Sequence, residues 1–282
     1  MKRTNKSRSA IAELIAGCAL AGLMATSGAH ASILTAAGGA GTFTINFDRD
    51  AFAVLQGGTL AAPGVYNAHF YDTAASDYAT VTMTSMVQGG GMSEQPSTAL
   101  VHELTPAGTS PATQAAGRHV QATTLDFAFD TSDHSGTGAL GMTGVQKYGI
   151  GAGPFAGTAM VYGDYSLKYN AAQRGGSNNL SGWYLENHIG WTMDAYDLTN
   201  LAVSFVDGSN WKLTGDLVMS AGTAAMLGGG SGSRVGNFCL GAGSEGGCSA
   251  VAAVPVPAAA WLFGSGLAAL WAPRRRSSKI VA

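Results

Sequence analysis

The sequence predicts an all-β protein: a single β-sandwich or jelly-roll-like domain, with a signal helix before it and a transmembrane helix after it. Three observations carry this reading. From residue 32 to about 220 the apolar residues recur with period two and leave almost no helical stripe. The segments between them are rich in Gly, Thr, Ser and Asn, the residues of turns. An apolar stretch flanked by basic residues stands at each end of the 282-residue chain. The expected division is 1–31 signal peptide, 32–227 β body, 228–253 Gly/Ser-rich linker with a disulfide loop, and 254–279 sorting and anchor segment.

Lys2, Arg3, Lys6 and Arg8 form a basic head, followed by an apolar stretch over 10–24 interrupted only by Glu13. Ala29-His30-Ala31 places small residues where signal peptidase reads, so cleavage is expected between Ala31 and Ser32. A lipoprotein reading of Cys18 is weaker, because the apolar stretch runs well past it.

In the body, Phe43, Ile45 and Phe47 share one face of a strict alternation. Residues 80–84 (Thr-Val-Thr-Met-Thr) predict a strand, as do Leu125, Phe127 and Phe129, and Tyr165, Leu167 and Tyr169. Leu201, Val203 and Phe205 lead through Asp207-Gly208-Ser209-Asn210 into Trp211 and Leu213, a β-hairpin with a four-residue turn. About nine strands with one buried face each need a second layer. The expected core is Phe43, Ile45, Phe47, Val81, Leu125, Phe127, Tyr165, Leu167, Trp183, Val203, Phe205 and Trp211.

Residues 228–249 contain nine glycines and read as a flexible linker. Cys239 and Cys248 are the cysteines that remain once the signal is removed, and an even pair in an oxidising compartment predicts a disulfide. A two-cysteine metal site is the alternative, with no histidine nearby in sequence to complete it.

The tail begins Val254-Pro255-Val256-Pro257, continues through an apolar run over 258–271, and ends in Pro273 and Arg274-Arg275-Arg276. As a helix those fourteen residues would measure about 21 Å. The arginines would stay cytoplasmic, with the body outside. This tail resembles the PEP-CTERM sorting signal of exopolysaccharide-producing Gram-negative bacteria, with Val256 where the family's glutamate would stand. The resemblance covers about 25 residues. It implies a membrane-embedded exosortase as partner, after the translocon and signal peptidase, and a cut near Val254, Pro255 and Pro257. Before processing, the C-terminal helix would hold the protein in the inner membrane. Residues 163–169, 182–185 and 211–220 are similar to segments of other exosortase substrates, which implies a family and no activity.

Charge separates the three parts. The interior carries about −9, and the two ends about +3 and +4, within a net −2. A body that acidic excludes nucleic acid as an expected partner.

The G-x-G-x-x-G matches at 136–141 and 241–246 are expected by chance with 41 glycines and lie outside any βαβ unit. His102-Glu103 begins like H-E-x-x-H, but Pro106 ends the match. Asp126, Asp130, Asp133 and His134 could hold Ca²⁺ or cap a turn in solvent. Asp48 and Asp50 around Arg49 read as an exposed charge cluster. His69, His102, His119 and His188 have no partner visible in the sequence. Trp183, Tyr184 and Trp191 could form a sugar-stacking platform or belong to the core. The reading is therefore an exported, non-enzymatic cell-surface or matrix protein with no cofactor and with exopolysaccharide as a candidate partner. The alternative is a secreted carbohydrate-binding module or glycan-active enzyme.

Overall fold

Phe43, Ile45 and Phe47 are buried along β2 (Gly41–Phe47), as their alternation requires. The computed structural model describes residues 33–34, 41–72, 80–110, 114–207, 210–242 and 248. The expected signal segment with Ala29, Ala31 and Ser32, the expected sorting motif with Val254, Pro255 and Pro257, Arg274, Arg275 and Arg276, and the two helices expected at the ends lie outside the described residues. Among the described residues no helix is long and apolar enough to cross a membrane.

The fold is all-β. In chain order the early elements are β1 (Ile33–Leu34), β2, α1 (Arg49–Ala53), β3 (Val65–Tyr71), α2 (Met83–Gln88) and β4 (Leu100–Glu103). Then come β5 (Ala128–Asp130), β6 (Gly136–Thr137), β7 (Ala139–Gly141), β8 (Val145–Ile150), β9 (Ala159–Gly163) and β10 (Ser166–Tyr169). The last are β11 (Trp183–Asn187), β12 (Met193–Asp207), β13 (Asn210–Met219), α3 (Ala221–Leu227) and β14 (Arg234–Ala242).

Eight strands form one antiparallel sheet in the order β4-β2-β14-β13-β12-β11-β10-β7. The sheet curls until its two edges touch. Leu104 and Met142 form an antiparallel bridge beyond β4 and β7. Thr105 N–H donates to the Gly141 carbonyl and Thr143 N–H to that of Glu103, both at 2.9 Å. Curling satisfies edge groups that an open sheet would expose. A three-stranded sheet, β3-β8-β9, packs against this curl, and β1-β5-β6 form a smaller one.

The middle strand β8 is buried along its whole length. Tyr148 and Ile150 enter the main core with Phe43, Phe47, Tyr165, Trp183 and Tyr196. Val145 packs on the opposite side with Met86 of α2, Val161 and Ile189. Lys147 is buried there and donates from Nζ to the carbonyl of Gly89 at the end of α2, 2.6 Å away. A cation is favourable against the carbonyl end of a helix.

Eight of the twelve expected core residues are buried; four are not. Val81 and Val203 are half-buried. Leu125 is 86% exposed because it occupies a turn before β5, whereas Phe127 and Phe129 turn inward beneath Trp183. Phe205 is 42% exposed near the tip of the β12–β13 hairpin. That hairpin closes at the Asp207–Asn210 pair, the two ends of the expected four-residue turn.

Two local expectations are corrected. The strand expected over 80–84 is not formed; Thr82 instead caps α2, its Oγ1 accepting from Ser85 N–H at 3.1 Å. Threonine serves both strands and helix starts, and here the cap prevails. The segment 228–253, expected as a linker, contributes β14 to the middle of the large sheet, between β13 and β2. Phe238 and Leu240 are buried, and Phe238 stacks on Phe43 with centroids 5.2 Å apart. Gly236 permits close pairing there, since a Cβ would stand 2.4 Å from the Asn46 carbonyl oxygen.

Cys239 on β14 is joined to Cys248, with Cα atoms 5.5 Å apart, and both are buried. Replacing both cysteines by serine is expected to lower stability by about 2–3 kcal/mol through loss of a short closed loop. Urea unfolding at pH 7 measures it, and an unchanged midpoint would refute a structural role.

Candidate functional site

The expected acidic cluster is spent on turn geometry. Ser132 donates from its backbone N–H and its Oγ to Asp130 Oδ1 at 2.7 and 2.6 Å. Ser135 N–H donates to Asp133 Oδ1 at 2.8 Å. These hydrogen bonds hold both carboxyls below the usual range. His134 sits at φ 61°, and its carbonyl accepts from Trp183 Nε1. Among the described residues no three His, Cys, Asp or Glu side chains converge into a metal-binding group. The other charged cluster is an exposed network. Asp48 caps α1, Arg49 makes a two-pronged contact with Glu94, and Arg234 bridges Asp48 and Asp216.

The glycines at 136–141 serve packing. A Cβ at Gly136 would stand 2.1 Å from the Trp183 ring, and Gly138 needs φ +68°.

The core encloses polar chemistry that the sequence kept scattered. His102 Nδ1 lies 2.7 Å from the Thr143 carbonyl, which can only accept, so Nδ1 carries the proton. Nε2 therefore accepts from Gln146 Nε2 at 2.9 Å, and Gln146 Oε1 accepts from the Tyr165 hydroxyl at 2.7 Å. The direction of every bond in this chain is fixed. Tyr148 and Tyr196 share a further hydroxyl contact of 2.7 Å. Burial pushes the His102 imidazole down to about 4, so it stays neutral.

A second polar group spans β10 and β11. His188 Nε2 is 3.0 Å from Ser166 Oγ and 3.2 Å from Glu186 Oε2, and Lys168 pairs with that same carboxylate. These are the residue types of a Ser-His-acid triad in a different geometry. A triad places its acid on Nδ1 and leaves Nε2 to take the serine proton. Here both the carboxylate and the hydroxyl face Nε2, and Ser166 has no exposed surface. Burial pushes His188 down to about 4 despite Glu186. The arrangement is structural.

Arg118 and Asp164 form a fully buried pair, with Nε to Oδ2 at 2.8 Å and Nη2 to Oδ1 at 2.6 Å. Asp164 adopts φ 45° and donates its N–H to the Gly144 carbonyl, which aims the carboxylate at Arg118.

Two open clefts among the described residues bear on ligand binding. One, of about 610 Å³, lies between the segment after α1 and the start of β14, with Val54, Leu55, Gln56, Gly229 and Arg234 in its wall. The other, of about 390 Å³, lies between β9 and α3 and is lined by Ile150, Phe155, Thr158, Ala159, Met160, Trp191, Ala225 and Met226. Phe155 and Trp191 are 58% and 46% exposed. Of the three aromatics considered for a platform, only Trp191 stands at a cleft; Trp183 is core and Tyr184 is half-buried on β11. Phe155 was missed because it lies in a Gly-rich turn with no periodic neighbours. Among the described residues no acidic side chain lines the Trp191 cleft. The chain matches no protein-family model, no curated protein and no solved structure.

Proposed function

We propose that this is an exported, non-enzymatic protein of the cell surface or extracellular matrix, sorted through its PEP-CTERM-like tail. The carrying observation is the Cys239–Cys248 disulfide, which ties the central strand β14 to the chain just before the tail. Disulfides persist in oxidising compartments, which agrees with a signal peptide cut before Ser32 and a tail of Val-Pro-Val-Pro, apolar run and Arg274-Arg275-Arg276. In this reading the translocon, signal peptidase and an exosortase-like protease act in turn. The protein is held transiently in the inner membrane and then reaches the exopolysaccharide layer. Architecturally we read the β3-β8-β9 sheet against the curled eight-stranded sheet as a jelly-roll-like sandwich. Cells carrying the chain with and without residues 254–282 test the proposal by fractionation and terminal sequencing. The expected product starts at Ser32 and ends near the Val254–Pro257 motif; intact 1–282 in the cytosol would overturn it.

A second reading, carbohydrate binding, is favoured by the exposed Phe155 and Trp191 at one cleft. Aromatic faces stack on sugar C–H faces. Trp191→Ala is then expected to weaken retention in a neutral-polysaccharide affinity gel at least tenfold. Equal mobility of the two proteins would remove this reading.

A further inference from the structure

β12 is fifteen residues long, but β11 covers only its first part, from Met193 to Asp197. Ser181 N–H and Oγ close the edge at the Leu198 carbonyl. Beyond that point residues 201–206 pair only with β13, and among the described residues no strand lies against their outer edge. The segment reads Leu-Ala-Val-Ser-Phe-Val, with no Pro, Lys or other charge to guard it. Such an edge is a row of unmet backbone donors and acceptors, and proteins that remain monomeric blunt it. Its flanks are defined: at Asn200, φ 53°, the pairing with β13 shifts register, and at the other side Asp207 pairs with Asn210 at the hairpin end.

We propose that this edge pairs antiparallel with the same edge of a second copy of the chain, about a two-fold axis at Val203. In that register Leu201 faces Phe205 of the other copy, and Val203 faces Val203. The half-buried and exposed apolar side chains of one face thereby cover one another. Two observations favour a second copy over an unrelated strand. The open stretch is nearly symmetric about Val203, so an isologous contact satisfies both edges at once. The pairing also carries the hairpin end of one copy, with Asp207, to the other copy's polar cavity of about 200 Å³ beside Asn200 and Leu201, which Arg174 and His134 line. Asp207 is thereby brought toward Arg174.

The test uses the purified full chain in mild detergent under oxidant. Val203→Cys is expected to give a reductant-sensitive band at twice the monomer mass. Ser204→Cys, which faces Ala202 of the other copy, should give no such band, because opposite Cβ atoms reach disulfide distance and offset ones do not. No cross-linked band for Val203→Cys, or equal bands for both variants, overturns the proposal. Sedimentation provides a second measure should the cysteine variants fold poorly. The parent chain is expected as a dimer, and Val206→Lys, at a 61% exposed position, as a monomer with an unchanged melting curve. A monomeric parent, or a dimer that survives Val206→Lys, also overturns it, the latter assigning association to the apolar tail.

Discussion

Arg118→Met is expected to destabilise the protein by about 3–5 kcal/mol, because it leaves the carboxylate of Asp164 buried without its counter-charge. Neither side chain has exposed surface, and two hydrogen bonds of 2.8 and 2.6 Å join them. Burial already pushes the Asp164 carboxyl up, against the pull of Arg118. Without Arg118 that carboxyl takes a proton more readily, so the deficit of the variant should shrink as pH falls. Arg118→Met combined with Asp164→Asn removes both charges and keeps a residue that tolerates the left-handed backbone at position 164. This double variant is expected to recover most of the loss. Urea unfolding at pH 7 of the parent, single and double variants decides the matter. A single variant within about 1 kcal/mol of the parent, or a double variant no better than the single, would sink the account.

The second large effect is a loss of stability as pH falls from about 6.5 to about 4. An imidazole in the unfolded chain titrates near 6.5, whereas His102 in the folded protein is pushed down to about 4 by burial. Between those values the unfolded state binds a proton that the folded state refuses, so acid favours unfolding. For His102 alone the difference amounts to about 3 kcal/mol once the pH is below its folded value. His188 is shifted in the same direction, again chiefly by burial. Asp197 opposes them. Burial and nearby Asp194 push its carboxyl up from 3.8 to about 6, so over roughly the same window the folded protein gains a proton that the unfolded chain does not. The net loss is therefore smaller than two histidines alone would produce. Stability measured against pH separates the contributions: His102→Gln should flatten the decline, and Asp197→Asn should steepen it. A His102→Gln profile parallel to the parent's would show that this imidazole is not the source.

Much of the sheet was legible because strand geometry is local. Phe43, Ile45 and Phe47 declare β2 by spacing alone, and Leu201 to Leu213 declare the hairpin. The cysteine pair was legible from its parity. Where the reading failed, one residue type served two purposes. Thr82 looked like the outer face of a strand and is a helix cap. The glycines of β14 looked like a linker, while Gly236 admits the close backbone of Asn46 and Phe47 on β2. Leu125 continued a period-two pattern from a turn that period alone does not reveal.

The candidate sites divide in the same way. Asp130 and Asp133 could be read as turn residues because their hydrogen bonds reach only two positions along the chain. Arg118 and Asp164 are 46 residues apart, and His102 and Gln146 are 44 apart. No periodicity connects such pairs; they meet because the large sheet curls and encloses β8. The sequence by itself determined the period-two body, the partition of charge between ends and interior, and the cysteine pair, since each depends on nearest neighbours or on counting. Only the tertiary structure decided which polar groups are buried and paired, that the Ser-His-Glu group lacks triad geometry, and that residues 201–206 form an open edge. Those outcomes depend on which distant strands lie side by side, and hydrogen-bond satisfaction across the closed sheet selects that arrangement.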